Sequence, residues 1–209
     1  MRLSGIMLLA AMLVMAAQGR AEDNPERGKA AYANCVSCHG GQAQGNRELN
    51  APRLNQLAPV YIVAQLQKFR SGLRGGDGAS DSARQMAAMA ATLEDDQALY
   101  DTAAYIATLQ GQVSSPTVEG DAGQGASYYQ QYCAACHGPA ALGNLALNSP
   151  RLAGADDWYL VAQLNAFRNG SRGAHPEDRT GRQMRAMAGV LPDDQAVAAV
   201  VTYIRSLEQ

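Results

Sequence analysis

All four cysteines of this 209-residue chain lie in two pentapeptides, CVSCH at 35–39 and CAACH at 133–137. The same pentapeptides hold two of its three histidines. Two thiols with two residues between them can add to both vinyl groups of a haem. A histidine beside the second thiol can then ligate the iron from one face. Three other chemistries use these residue types. A zinc site needs four ligands, which the two motifs could pool. A redox dithiol belongs in a βαβ setting, which no part of the chain suggests. Structural disulfides suit an exported chain. The histidine in both copies, the lack of any other cysteine and the export signal described below favour covalent haem. Cys35, Cys38, Cys133 and Cys136 are the expected attachment points of two haem c groups, with His39 and His137 under the rings.

The ligand on the opposite face decides what such a centre does. A thioether fills the last position and raises the reduction potential. Downstream of each pentapeptide lies a methionine pair, Met86 and Met89 in RQMAAMAATL and Met184 and Met187 in RQMRAMAGVL. Spacing leaves both members of each pair open. His175 is the spare histidine. Its counterpart in the first half is Asp77, so it is no shared ligand and reads as an exposed loop residue. Pro52 and Pro150 can present carbonyls to the outer nitrogen of an axial imidazole. Arg53, Arg84, Arg151 and Arg182 are candidates to pair with haem propionates or to sit solvated at the surface.

These residues are positioned by a duplication. The first cysteines are 133 − 35 = 98 residues apart. The same offset links Pro52-Arg53-Leu54 to Pro150-Arg151-Leu152, Tyr61 to Tyr159, Phe69-Arg70 to Phe167-Arg168, and Tyr105-Ile106 to Tyr203-Ile204. Two domains are expected, at 22–110 and 125–209. Residues 111–124 are polar, contain Pro116 and read as an exposed linker. Short helices over Pro25–Val36 and Ala126–Ala134 lead into the pentapeptides. Ile62, Leu66 and Phe69 mark a helix face in the middle of the first half. Its copy follows Asp156 or Asp157 as a cap. The last helices run over Asp95–Leu109 and Asp193–Leu207. The stretches between are rich in Gly, Asn and Pro and show no strand alternation, so the fold class is all-α.

Composition bounds the rest. Aromatics make up 6% of the chain, with two Phe and one Trp. Each half therefore has a thin core, and small domains of that kind need a staple such as a bound cofactor. Residues 1–21 read as a signal peptide. Arg2 is followed by the apolar run Ile6–Ala17, too short for a comfortable span, with cleavage expected after Ala21. Removing Arg2 and Arg20 leaves 15 basic residues against 19 acidic, a net charge of −4. That argues against a nucleic-acid partner. Basic and acidic residues nearly balance within each half, so charge counts name no docking face.

The mature chain resembles the dihaem class I cytochromes c, most closely the cytochrome c4 group. The resemblance is carried by the two CxxCH motifs, the PRL segments, the YxVAQLxxFRxGxR helices, the RQMxxM loops and the DDQ starts of the last helices. It implies two tandem class I cytochrome c domains packed face to face, each enclosing one covalent haem. It implies His39 and His137 as axial ligands. It selects Met86 and Met184, seven residues before Leu93 and Leu191, as their partners. It implies one-electron transfer in the periplasm, to or from membrane respiratory complexes including a terminal oxidase, and a possible loose membrane association. The alternative is the electron-accepting cytochrome subunit of a periplasmic dehydrogenase, such as a flavin-linked sulfide dehydrogenase. A haem enzyme proper calls for an open iron, and the methionine in both halves counts against that.

Overall fold

Asn24 and Asp121 open the two halves in the same way. The Asn24 side chain accepts hydrogen bonds from the Glu26 and Arg27 N–H groups at 2.9 and 3.1 Å. It thereby caps helix α1, Pro25–Tyr32. Asp121 accepts from Gly123 and Gln124 at 2.9 and 3.0 Å and caps α6, Ala122–Tyr128. The computed structural model describes residues 22–207, so the signal segment expected at 1–21 lies outside it. Between the caps run α2 (Val36–His39), α3 (Pro59–Arg70), α4 (Asp81–Ala90) and α5 (Asp96–Thr108). The second half continues with α7 (Ala134–His137), α8 (Asp157–Asn169), α9 (Arg179–Ala188) and α10 (Asp194–Ser206). Among the described residues there is no strand, only isolated bridges at Asn46–Ala51 and Asn144–Ser149. None of the described helices is long and apolar enough to cross a membrane.

The first and last helices of each half cross closely. A Cβ on Gly28 would lie 1.9 Å from the Asp101 carbonyl oxygen of α5, and one on Gly125 would lie 2.0 Å from that of Ala199 in α10. Only glycine permits this approach. Each crossing carries its own apolar core. Tyr32, Leu99, Ala103 and Ile106 form one, and Tyr129, Val197, Val200 and Ile204 the other. In the first half the crossing is also tied by charge. Burial alone would raise the Asp101 carboxyl, but Arg27, the Asn24 N–H and Gln97 outweigh it and hold it below its ordinary value.

Three features depart from the sequence reading. Upstream of the pentapeptides the repeat offset is 129 − 32 = 97, because Tyr32 and Tyr129 are equivalent. The extra residue before Cys133 is absorbed as a π-helical turn, Tyr129–Cys133. Such turns accommodate single insertions without ending a helix. Second, the RQMxxM segments are helical rather than loops. Ser80 and Asp178 cap them by accepting from Ala83 and Gly181 at 3.3 and 2.9 Å. Third, the segment expected as an exposed linker is mostly exposed but is also strapped to the second domain, and α6 begins inside it. Asp156 makes no cap; it accepts from Ser114 at 2.8 Å and from the Arg53 N–H at 2.9 Å. Asp157 accepts from Thr117 and, at 2.9 Å, from Val118. Burial works against ionisation of Asp157, yet these donors hold its carboxyl below the ordinary value.

Candidate functional site

Each pentapeptide closes as one short helical turn. Gly40 and Gly138 end these turns at φ 78° and 79°. Tyr32 and Tyr129, both fully buried, donate their hydroxyls to the Gly40 and Gly138 carbonyls at 2.8 and 2.7 Å. The turns are thereby pinned to the helix crossings. His39 Nδ1 lies 2.8 Å from the Pro52 carbonyl, and His137 Nδ1 lies 2.9 Å from that of Pro150. A carbonyl only accepts, so Nδ1 carries the proton and Nε2 keeps its lone pair. Burial lowers the pKa of both imidazoles, against the opposing effect of that hydrogen bond. They are held neutral, the form that binds iron.

The thiols are not those of a redox dithiol. Burial, with the neighbouring cysteine second, pushes Cys35 and Cys133 up to about 11. A dithiol exchange site needs a depressed value instead. Neither pair is closed as a disulfide. Cys35 and Met86 pack against the same core, as does Cys133 in its own half. Met86, Met89 and Met184 are half-buried, whereas Met187 is 37% exposed. His175 is exposed ahead of α9.

Of the four arginines singled out by sequence, Arg84, Arg151 and Arg182 are engaged within their own domains, whereas Arg53 reaches across to the second. Arg53 donates to the Gly154 and Gly111 carbonyls, Arg84 to Asp81, Arg151 to the Ala153 carbonyl and Arg182 to the Pro176 carbonyl. A further pair of arginines, facing each other, lies at the same interface between the domains. Arg74 donates to Tyr159 and Gln163 of the second domain at 2.9 and 3.0 Å. Arg172 reciprocates to Tyr61 and Gln65 of the first at 3.3 and 2.9 Å. Each also binds the glutamine of its own domain and lies over its own phenylalanine, Phe69 at 4.4 Å and Phe167 at 4.5 Å. Sequence reading quoted these residues in the repeated YxVAQLxxFRxGxR motif but gave them no role. Their signal was their invariance across the 98-residue offset.

This network is strongly positive. Burial and the facing Arg172 lower the pKa of Arg74. Burial would raise the Tyr159 phenol, but Arg74 and Arg172 draw it below its ordinary value. Among the described residues no carboxylate hydrogen-bonds either guanidinium; the partners shown are Gln and Tyr. Paired cations of this kind call for anions. The two propionates of a haem are such anions, and the thiols and the fixed imidazole suit the rest of it. The residues present therefore fit a covalent haem in each half.

The cytochrome c family matches this chain twice, over residues 25–110 and 122–208. The thiosulfate dehydrogenase electron acceptor of Stutzerimonas stutzeri (strain A1501) is 35% identical over 208 residues, covering 97% of this chain and 92% of that protein. Cytochrome c4 of Azotobacter vinelandii is 31% identical over 195 residues and covers 87% of each. The crystal structure of reduced recombinant cytochrome c4 from Pseudomonas stutzeri superposes with a TM-score of 0.68 at 29% identity, covering 88% of this chain and 98% of that one.

Proposed function

The chain belongs to the cytochrome c family and carries two covalent haem c groups; from that premise we propose that it relays single electrons between redox proteins of the periplasm. Cys35 and Cys38 hold the first haem and Cys133 and Cys136 the second. His39 with Met86, and His137 with Met184, would hold the two irons. Bound there, each iron supplies a one-electron Fe(II)/Fe(III) couple. The protein does the remaining work. Pro52 and Pro150 fix the imidazole planes. The methionines would leave no position on the irons open to small molecules. Arg74 and Arg172 neutralise negative charge where the domains meet.

The observation that carries this reading is the reciprocal Arg74–Tyr159 and Arg172–Tyr61 network. It ties the two domains together through equivalent residues, which supports a relay over two independent carriers. Membrane respiratory complexes, a terminal oxidase among them, suit such a relay as partners. The test is ligand binding. Reduced holoprotein is expected to show two low-spin haems per chain and to bind no carbon monoxide at neutral pH. Rapid stoichiometric uptake by the native protein contradicts the reading.

A second reading has a specific observation behind it. The relative at 35% identity is named as the electron acceptor of a thiosulfate dehydrogenase. Within the alternative of a dehydrogenase's electron-accepting subunit, that favours a thiosulfate-oxidising donor over the flavin-linked sulfide dehydrogenase given as its example. Mixing this holoprotein with such a dehydrogenase and thiosulfate, and following haem reduction, separates a dedicated acceptor from a general carrier.

A further inference from the structure

Charge counts balance within each half, but the fold separates the charges in space. Helix α9 carries Arg179, Arg182 and Arg185 at three-residue steps and no acidic residue. Its copy α4 carries Asp81, Arg84 and Ala87 at those positions, and Arg84 closes onto Asp81. The duplicated helix is thus self-neutralised in the first domain and bears three positive charges in the second. Arg182 and Arg185 line one open surface depression together with Arg168 and Val190. Asp194 holds Arg168 at 2.6 Å. Among the described residues Arg185 has no hydrogen-bond or ion-pair partner. Val190, 40% exposed, and Ala186 put apolar surface beside the arginines. Arginine grouped with exposed apolar surface is a composition enriched at interfaces rather than on ordinary surface.

We propose that this α9 face is the docking surface for an acidic patch on a partner redox protein. The inference rests on the relay reading for why a partner docks there. The place is apt, because α9 also carries Met184. A partner seated on its outer side lies one helix width, roughly 10 Å, from the side chain assigned to the iron. A protein fits better than an anionic bilayer. The face is recessed, guanidinium forks match carboxylates two bonds at a time, and the chain's net charge of −2 disfavours an anionic membrane. A small inorganic anion fits less well, because the arginines of α9 itself are exposed.

The test uses reduced, diamagnetic, nitrogen-15-labelled holoprotein titrated with poly-L-glutamate as an acidic surface. The amides of 179–190 are expected to shift while those of 81–92 stay, with an affinity that falls as salt rises. The double variant Arg182→Gln/Arg185→Gln is expected to bind about tenfold more weakly with unchanged haem spectra. Equal shifts in both domains, or an unaltered affinity in the variant, overturn the proposal. So does binding to phosphatidylglycerol vesicles without a response to poly-L-glutamate, or saturation of the same amides by inorganic phosphate alone at lower concentration. The readout is binding to an inert peptide, so its failure leaves the relay, tested by carbon monoxide, untouched.

Discussion

Met184→Ala lowers the potential of the second haem by on the order of 0.2 V and opens it to carbon monoxide, while Met187→Ala leaves both properties nearly unchanged. The size follows from the ligand. Axial ligands spread haem potentials over roughly 0.8 V, and a thioether lies toward the high end. The choice between the two residues rests on placement. They sit three residues apart on α9, with Met184 half-buried and Met187 on the exposed side. The first domain repeats the experiment, since Met86 packs against the same core as Cys35. Met86→Ala is expected to act on the first haem alone. Spectroelectrochemical titration with and without carbon monoxide reads both outcomes. A loss that tracks Met187 or Met89 reverses the assignment.

Gly28→Ala or Gly125→Ala destabilises its domain by more than about 3 kcal/mol. Overpacking a core costs about 1–3 kcal/mol when side chains can give way. Here the obstacle is a backbone carbonyl at 1.9 or 2.0 Å, so two helices must separate. A domain with about 5–15 kcal/mol in total barely survives that. Gly41→Ala is the control, because a Cβ there meets nothing within 4 Å. Thermal unfolding of the three holoproteins is expected to leave Gly41→Ala near the parent. A mild effect at Gly28 would mean that the α1–α5 crossing is looser than drawn.

The chemistry was legible in the sequence because it is local. CxxCH fixes the cysteines and histidine by adjacency, and an offset constant from Cys35 to the last helix exposes the duplication. The Pro52 and Pro150 contacts follow from the same regularity. Orientation was not legible. Arg84 looked as available as Arg53 or Arg74, and only the meeting of two domains shows that the latter two bond across it while Arg84 closes onto its own helix. Asp156 and Asp157 obey the local pattern of a helix cap, but the carboxylates are taken over by residues some 40 positions away. Helices α4 and α9 were hidden by low overall hydropathy: their apolar side is only a few methionines and alanines, among charged and small residues. The π turn before Cys133 was hidden because its single extra residue lies upstream of the region where the offset holds. Docking charge was hidden for a related reason: counts average over a domain, whereas Arg179, Arg182 and Arg185 share one helix.

The central claim is that two matched centres act as one relay. Pulse radiolysis tests it directly, by injecting one electron into the fully oxidised holoprotein and following both haems. The relay predicts a first-order redistribution between them, at a rate independent of protein concentration and slowed in Arg74→Leu/Arg172→Leu. A redistribution that scales with protein concentration, or none at all, would show two separate carriers on one chain.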